Sequence, residues 1–248
     1  MAKEDIAPDR VALGEDYFNR GHWLTRLQVW LSLRKRAEMY RIWRAVAGAM
    51  EGARVLDFGT TPDTSREDSN CVVHWLVRDG AEVSLLSVED VSHLGAVFPA
   101  GQVRVLPRLA LATGDSAPPI PLESGTFDWV CSSAVLEHVG SEERQLEHLK
   151  ECGRIGRGVF LTTPARDHWL EFHTKLPLLH WLPRQHHRTL LRFFGYGNWA
   201  KEEWLRLLSA ADLARLARQA LGDTHDLVFR RIRALGATSN LVLIARLK

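Results

Sequence analysis

Apolar positions along the 248 residues follow two alternating rhythms. The first is a set of strand-length runs: Arg54–Gly59 (RVLDFG), Glu82–Ser87 (EVSLLS), one run within Val103–Thr113 interrupted by Pro107, Phe127–Cys131, and Val159–Thr163 (VFLTT) closed by Pro164. The second has helical spacing. It covers Gly21–Met50, Cys71–Val77 up to a stop at Gly80, Ser141–Cys152 behind a Ser141 N-cap, and Lys201–Leu221 up to Gly222. Leu227–Ile232 and Ser239–Ala245 close the chain as two strands around Gly236. Strands that alternate with helices predict an α/β domain built on a parallel sheet.

The first helical segment is amphipathic. Trp23, Leu27, Trp30, Leu31, Leu33, Tyr40, Trp43 and Val46 recur at helical spacing, and Arg26, Arg34, Lys35, Arg36, Arg41 and Arg44 fill the other faces. Such a stripe is first a buried face. It predicts a pair of N-terminal helices capping the pocket at the sheet edge, behind a loose polar arm at residues 1–18. A basic helix with tryptophans lying on an anionic membrane is the alternative. The division expected is an arm and helical cap at 1–50 and one domain at 51–248, with an insertion at 164–200.

Composition narrows the class. Apolar and charged fractions of 46% and 25% are those of an ordinary globular protein. A formal net charge of +2 does not point to nucleic acid as the partner. Three cysteines, Cys71, Cys131 and Cys152, form no CxxC and predict a reducing, cytoplasmic setting. No apolar h-region follows the polar N-terminus, and no run is long enough to span a bilayer.

The stretch around which the chain is organised is Phe127–Gly140, FDWVCSSAVLEHVG. A buried strand there runs into small residues and then restarts as a helix, which sets Ser132–His138 at the mouth of the crevice beyond the strand ends. This stretch resembles the fourth-strand motif of the class I S-adenosylmethionine (SAM)-dependent methyltransferases. RVLDFG resembles the same family's first motif, with Thr61 where a second glycine is usual. Gly114-Asp115 with the following prolines and Phe127-Asp128, and ECGRIGRGVFLTTP, resemble its later segments. A bacterial subgroup of the family is similar in its VLD-x-G followed by a polar loop and Ser-Asn, and in its EFHT-x-LPLLHWLP run.

The resemblance implies a Rossmann-like, seven-stranded, mostly parallel sheet with helices on both faces, an N-terminal helical cap and a helical insertion after the fifth strand. It implies SAM as cofactor and a small-molecule acceptor methylated on oxygen or nitrogen. Asp57, Gly59 and Thr60 are expected at the cofactor, with Glu89 on the ribose, Asp115 and Ser116 near the adenine, and Ser133 beside them. His138 is the first candidate for a general base and His173 the second. Arg166–Pro183 is expected to roof the acceptor, with Trp169, His173, His180 and Trp181 lining it. Glu171-x-His173 and the distant His180 match no tight ligand spacing, so no metal is expected. Two other readings stay open. One is a non-catalytic binding module on the same fold, suggested by Thr61 and by Ser87 in place of an acid. The other is a membrane-surface enzyme for a lipid-like acceptor. The oligomeric state is not legible.

Overall fold

A computed structural model describes residues 23–99, 101–110, 120–171 and 173–248. The arm at residues 1–18, Asp115 and Ser116 lie outside them. The described strands are β1 (Arg54–Phe58), β2 (Glu82–Leu86), β3 (Val103–Val105), β4 (Trp129–Ser133), β5 (Gly158–Pro164), β6 (His225–Ala234) and β7 (Ala237–Leu247). They form one seven-stranded sheet in the order β3-β2-β1-β4-β5-β7-β6. β1 to β5 are parallel, and β7 runs antiparallel to both β5 and β6. The helices are α1 (Trp23–Ala47), α2 (Cys71–Arg78), α3 (Glu142–Ile155), α4 (Arg184–Phe193) and α5 (Ala210–Leu221).

The alternation of side chains along the strands builds two cores, one on each face of the sheet. Val55, Cys131 and Phe160 face α1 and α2, where Tyr40, Trp43 and Leu76 are buried. Leu56, Val130 and Leu161 face α3 and α5, where Leu149, Ile155 and Leu216 are buried. Trp43 is the anchor of the first core: it stacks on Phe160 with ring centroids 4.4 Å apart and meets Trp129 edge-on at 5.7 Å. Tyr40 and Arg44, three and one residues from that anchor, both reach Asp79 at the end of α2, at 2.9 and 3.2 Å.

Several expectations are corrected. The N-terminal segment is one 25-residue helix rather than a pair. No glycine or proline interrupts Trp23–Ala47; its second half packs on the sheet face, while Ser32 hydrogen-bonds Asp68 and Arg36 lies within electrostatic reach of Asp57 at the loop after β1. Lys201–Leu221 is not one helix: a capping box between Ser209 and Asp212 starts α5 afresh at Ala210. The residues before it turn back to the sheet, with Leu208 bridging Ala165. Asn70 occupies the N-cap position of α2, with no side-chain cap. Its amide pairs with Thr61 instead, donating to the Thr61 carbonyl at 2.9 Å and accepting from its N–H at 3.3 Å.

His148 on α3 is buried under the sheet. Its Nε2 pairs with Ser132 Oγ at 2.9 Å, and its ring lies 4.6 Å from Phe58. Burial disfavours the charged ring and lowers its pKa to about 4. The unfolded chain, with an ordinary histidine near 6.5, binds the extra proton more readily, so stability is full above about pH 6.5 and declines as pH falls toward 4. His148→Gln should remove about 3 kcal/mol of that pH-dependent loss between pH 7 and 4. Urea unfolding of both chains across this range checks it; parallel pH curves for the two would contradict it.

Candidate active site

Strand order reverses between β1 and β4, which carry the chain to opposite halves of the sheet from adjacent positions. In an open α/β sheet, ligands bind in the crevice outside the strand carboxyl ends at such a switch point. The ends of β1, β2 and β4 are level there: Phe58 pairs with Leu86, and Asp57 with Cys131. Gly59 leaves β1 at φ +101 and donates its N–H to the Leu86 carbonyl at 2.8 Å. A Cβ on Gly59 would stand 2.3 Å from Val135 Cγ2, so the loops after β1 and β4 touch at this point. The glycine is required by backbone conformation and by this contact before any ligand is considered.

The other cofactor candidates ring the same edge. Asp57 points to the α1 face and is nearly covered; its carboxylate accepts from Thr60 Oγ1 at 2.6 Å. Burial raises the Asp57 pKa against the opposing pull of Thr60, the Cys131 thiol and Arg36. Ser87, at the end of β2, is buried and uses its hydroxyl to accept the Glu89 N–H at 3.1 Å, which leaves Glu89 half-buried beside the crevice. Asp90 accepts from Ser92 N–H at 3.0 Å and braces the next turn. Ser133 ends β4 with its hydroxyl 3.0 Å from Thr162 Oγ1. The polar loop after Gly59 is cross-tied by Asp63, which accepts from Ser65 N–H at 2.8 Å and Ser69 Oγ at 2.6 Å.

Beyond Ser133 the chain passes through Ala134 at φ +58 into a single 3-10 turn, Leu136–His138. Three bonds from distant segments fix that turn. Gln145 Nε2 donates to the Leu136 carbonyl at 2.9 Å, the Arg206 N–H to the Glu137 carbonyl at 2.7 Å, and His138 Nδ1–H to the Trp204 carbonyl at 2.7 Å. Arg206 is itself buried, its guanidinium paired with Glu142, Glu202 and Gln145.

The turn places Glu137 and His138 side by side with opposite exposures. Glu137 is fully buried: Oε2 accepts from Thr163 Oγ1 at 2.9 Å, and Oε1 has no hydrogen-bond partner among the described residues. His138 keeps 36% of its side chain exposed, and its Nε2 lies 3.9 Å from Glu137 Oε1. His173 comes from the segment after β5 and meets the His138 ring at right angles, centroids 4.9 Å apart. Its Nδ1–H donates to Glu171 Oε1 at 2.6 Å. The pairing partners engage Nδ1 of each ring, and Nε2 of His138 is the nitrogen that faces Glu137.

The pKa values of the two histidines are shifted in opposite directions. Burial lowers the pKa of His138, with the neighbouring His173 adding to that and Glu137 opposing it. For His173 burial also lowers the pKa, but the hydrogen bond and charge of Glu171 outweigh it and the net shift is upward. Burial alone would raise Glu171; the His173 bond and charge, with backbone N–H groups of His173 and Thr174, carry it down to about 2.

The segment after β5 does come over this edge, since His173 meets His138 and Trp199 lies 5.0 Å from the His173 ring. It is a tight turn closed by a Leu170–Pro177 bridge and followed by a 3-10 turn and α4, so the helical part of the insertion at 164–200 lies in its second half. His180 is buried and donates through Nε2 to the His168 carbonyl at 2.6 Å; the Trp181 indole N–H joins it there at 3.0 Å, leaving the Trp181 ring 53% exposed. Trp169 packs on His168, ring centroids 5.4 Å apart. Arg166, His180, Arg184, His187, Arg188 and Trp199 line a small cationic pocket next to this cluster.

Sequence reasoning singled out His138 and His173 but missed Glu137, Thr163, Trp199 and Arg206. The signal for Glu137 was present: an acid directly before the candidate histidine in a stretch that otherwise reads as apolar.

No protein-family model and no curated protein matches the chain. Solved structures do. The chain is similar to the Burkholderia thailandensis 1,6-didemethyltoxoflavin-N1-methyltransferase with bound 1,6-didemethyltoxoflavin and S-adenosylhomocysteine: TM-score 0.55, 15% identity, 89% of this chain and 81% of that one. It is similar to the magnesium protoporphyrin IX methyltransferase of Synechocystis PCC 6803 with bound S-adenosylhomocysteine: TM-score 0.54, 15% identity, 96% and 92% covered. A Rhodobacter sphaeroides protein described as a putative zinc-dependent alcohol dehydrogenase shares the fold as well: TM-score 0.56, 11% identity, 85% and 90% covered. At these identities the likeness concerns architecture. The chain has the seven-stranded α/β fold of the SAM-dependent methyltransferases.

Proposed function

We propose that this chain is a SAM-dependent methyltransferase that methylates an oxygen or nitrogen of a small-molecule acceptor. The observation that carries the reading is the convergence of Gly59, Ser133 and the Glu137–His138–His173 cluster at the β1/β4 switch point of this fold. Bound SAM would supply a sulfonium methyl for in-line displacement. Gly59 and Thr60 after β1, Glu89 after β2 and Ser133 after β4 are the groups at hand to hold it, with Asp57 beneath them and Asp115 and Ser116 proposed for the adenine end. On the acceptor side, His138 has its Nδ1–H committed to the Trp204 carbonyl, which leaves Nε2 to take the proton from an acceptor hydroxyl. His173 and Trp199 wall the acceptor, Trp169 and Trp181 extend the roof, and His180 holds the roof together from inside. Catalysis then rests mainly on alignment of the nucleophile with the methyl group. Buried thiols at Cys71, Cys131 and Cys152 fit a cytoplasmic enzyme.

Isothermal calorimetry with S-adenosylhomocysteine tests the reading. One molecule should bind per chain, and Asp115→Ala should weaken it by about 1–3 kcal/mol, the cost of an unpaired buried donor. A chain that binds neither SAM nor its product sinks the proposal; binding without methyl transfer to any acceptor leaves the non-catalytic module.

A second reading has its own observation. Phe193, Phe194 and Trp181 are 81%, 54% and 53% exposed along the segment that carries the cationic pocket. Apolar rings beside arginines suit an anionic lipid-like acceptor at a membrane surface. No helix among the described residues is long and apolar enough to cross a membrane. Sedimentation with phosphatidylglycerol vesicles should retain the chain and release a Phe193→Ser/Phe194→Ser variant; equal recovery in the supernatant removes this reading.

A further inference from the structure

We propose that Glu137, His138 and His173 form a binding site for one divalent first-row transition-metal ion. One donor atom from each residue lies within 4.8 Å of the other two. Two imidazole nitrogens and one carboxylate oxygen are a donor set that suits Zn²⁺, Mn²⁺, Fe²⁺ or Co²⁺, and not the all-oxygen surroundings that Ca²⁺ and Mg²⁺ favour.

Three features mark the cluster as built for a ligand. First, Glu137 has no exposed surface, yet Oε1 lacks a hydrogen-bond partner among the described residues while Oε2 is held by Thr163. A buried carboxyl oxygen left unmatched is costly, and it points toward the imidazole edge of His138. Second, each histidine has its Nδ1–H engaged by a separate acceptor, the Trp204 carbonyl for His138 and the Glu171 carboxylate for His173. That is the outer-shell arrangement which orients metal-bound imidazoles and leaves Nε2 as the donor. Third, the three residues come from two segments that the fold brings together, and a third segment supplies the Trp204 carbonyl that holds His138. Thr174 Oγ1 and the Thr174 N–H fix Glu171 in turn.

With bonds of about 2.1 Å in tetrahedral geometry, ligand atoms stand about 3.4 Å apart, so binding requires the present triangle to close by no more than about 1.4 Å. Three protein donors leave at least one position open for water or an acceptor oxygen. The site stands on side-chain geometry alone; its use in positioning the acceptor rests on the methyltransferase reading, and there His138 serves as a ligand rather than as the proton acceptor.

The test uses the full chain, stripped with a chelator and titrated with Zn²⁺, Mn²⁺ and Co²⁺ by calorimetry, with Co²⁺ also followed by its visible absorption. One ion should bind per chain. Glu137→Gln and His173→Asn should weaken it more than about 100-fold, and Glu171→Gln, which touches only the outer shell, by about 10–100-fold. Thermal unfolding and circular dichroism verify that each variant is folded; should Glu137→Gln not fold, His173→Asn carries the test. No stoichiometric binding by the unaltered chain, or binding equal in Glu137→Gln and His173→Asn, overturns the proposal. S-adenosylhomocysteine binding measured in chelator separates the two claims: product bound without any metal site sinks only the metal, and metal bound without product sinks only the methyltransferase reading.

Discussion

A carboxyl group with no exposed surface stands at the carboxyl end of the central strand β4, and the surrounding structure is ordered about it. Burying such a group is expensive unless its oxygens are matched. Thr163, from the end of the neighbouring β5, matches one oxygen of Glu137. The backbone that carries it is pinned by Gln145 from α3 and by the 204–206 stretch that leads into α5. The same stretch holds His138 through the Trp204 carbonyl and is itself anchored by the buried Arg206, whose guanidinium is shared among Glu142, Glu202 and Gln145. Breaking one link of this kind, which strands a buried partner, costs about 1–3 kcal/mol, and a network in low dielectric couples them. The turn beyond β4 is therefore rigid because several remote segments converge on it.

That rigidity separates the two histidines chemically. Both rings are crowded, and crowding favours the neutral form of each. His138 gives its Nδ1–H to a neutral carbonyl and stays shifted down. His173 gives its Nδ1–H to a buried carboxylate and is shifted up. Two rings 4.9 Å apart thus hold different charge tendencies because of what lies behind each one. The adjoining arginines, with Arg166 spending its guanidinium on the His180 and Leu182 carbonyls, add positive potential beside the histidine pair and extend it along α4.

Much of this was legible in the chain. Short apolar runs with helical stretches between them announced four of the parallel strands to within two residues and set β3 inside a longer run, and Gly236 announced the closing hairpin, because periods of two and 3.6 are properties of the residues themselves. Ser141 was readable as a cap, and its hydroxyl does accept the Arg144 N–H. What escaped depends on tertiary pairing. Ala165 and Leu208 meet across the fold, so 205–208 became extended although Trp204, Leu205 and Leu208 fit a helical stripe. Gly59 was readable as a glycine the cofactor needs, but its close neighbour is Val135, 76 positions on, which no local pattern reveals. Separation in sequence also hid the site: Glu137 and His173 belong to different motifs, and only the crossing of β5 brings them together. The metal spacing weighed in the chain, Glu171 with His173 and His180, grouped residues that the fold assigns to separate tasks: Glu171 orients His173, and His180 closes the segment on the His168 carbonyl.

The central claim is spatial: the methyl donor and the Glu137–His138–His173 cluster face each other across the β1/β4 switch point. A crystal structure of the chain grown with S-adenosylhomocysteine and Mn²⁺, with the metal located by its anomalous signal, tests it most directly. The account predicts the homocysteine sulfur directed at the cluster from the Gly59–Ser133 side, on the order of 5–7 Å away, the span of one transferred methyl group and one acceptor atom. A sulfur turned away from the cluster, or a product bound at another edge of the sheet, would contradict it.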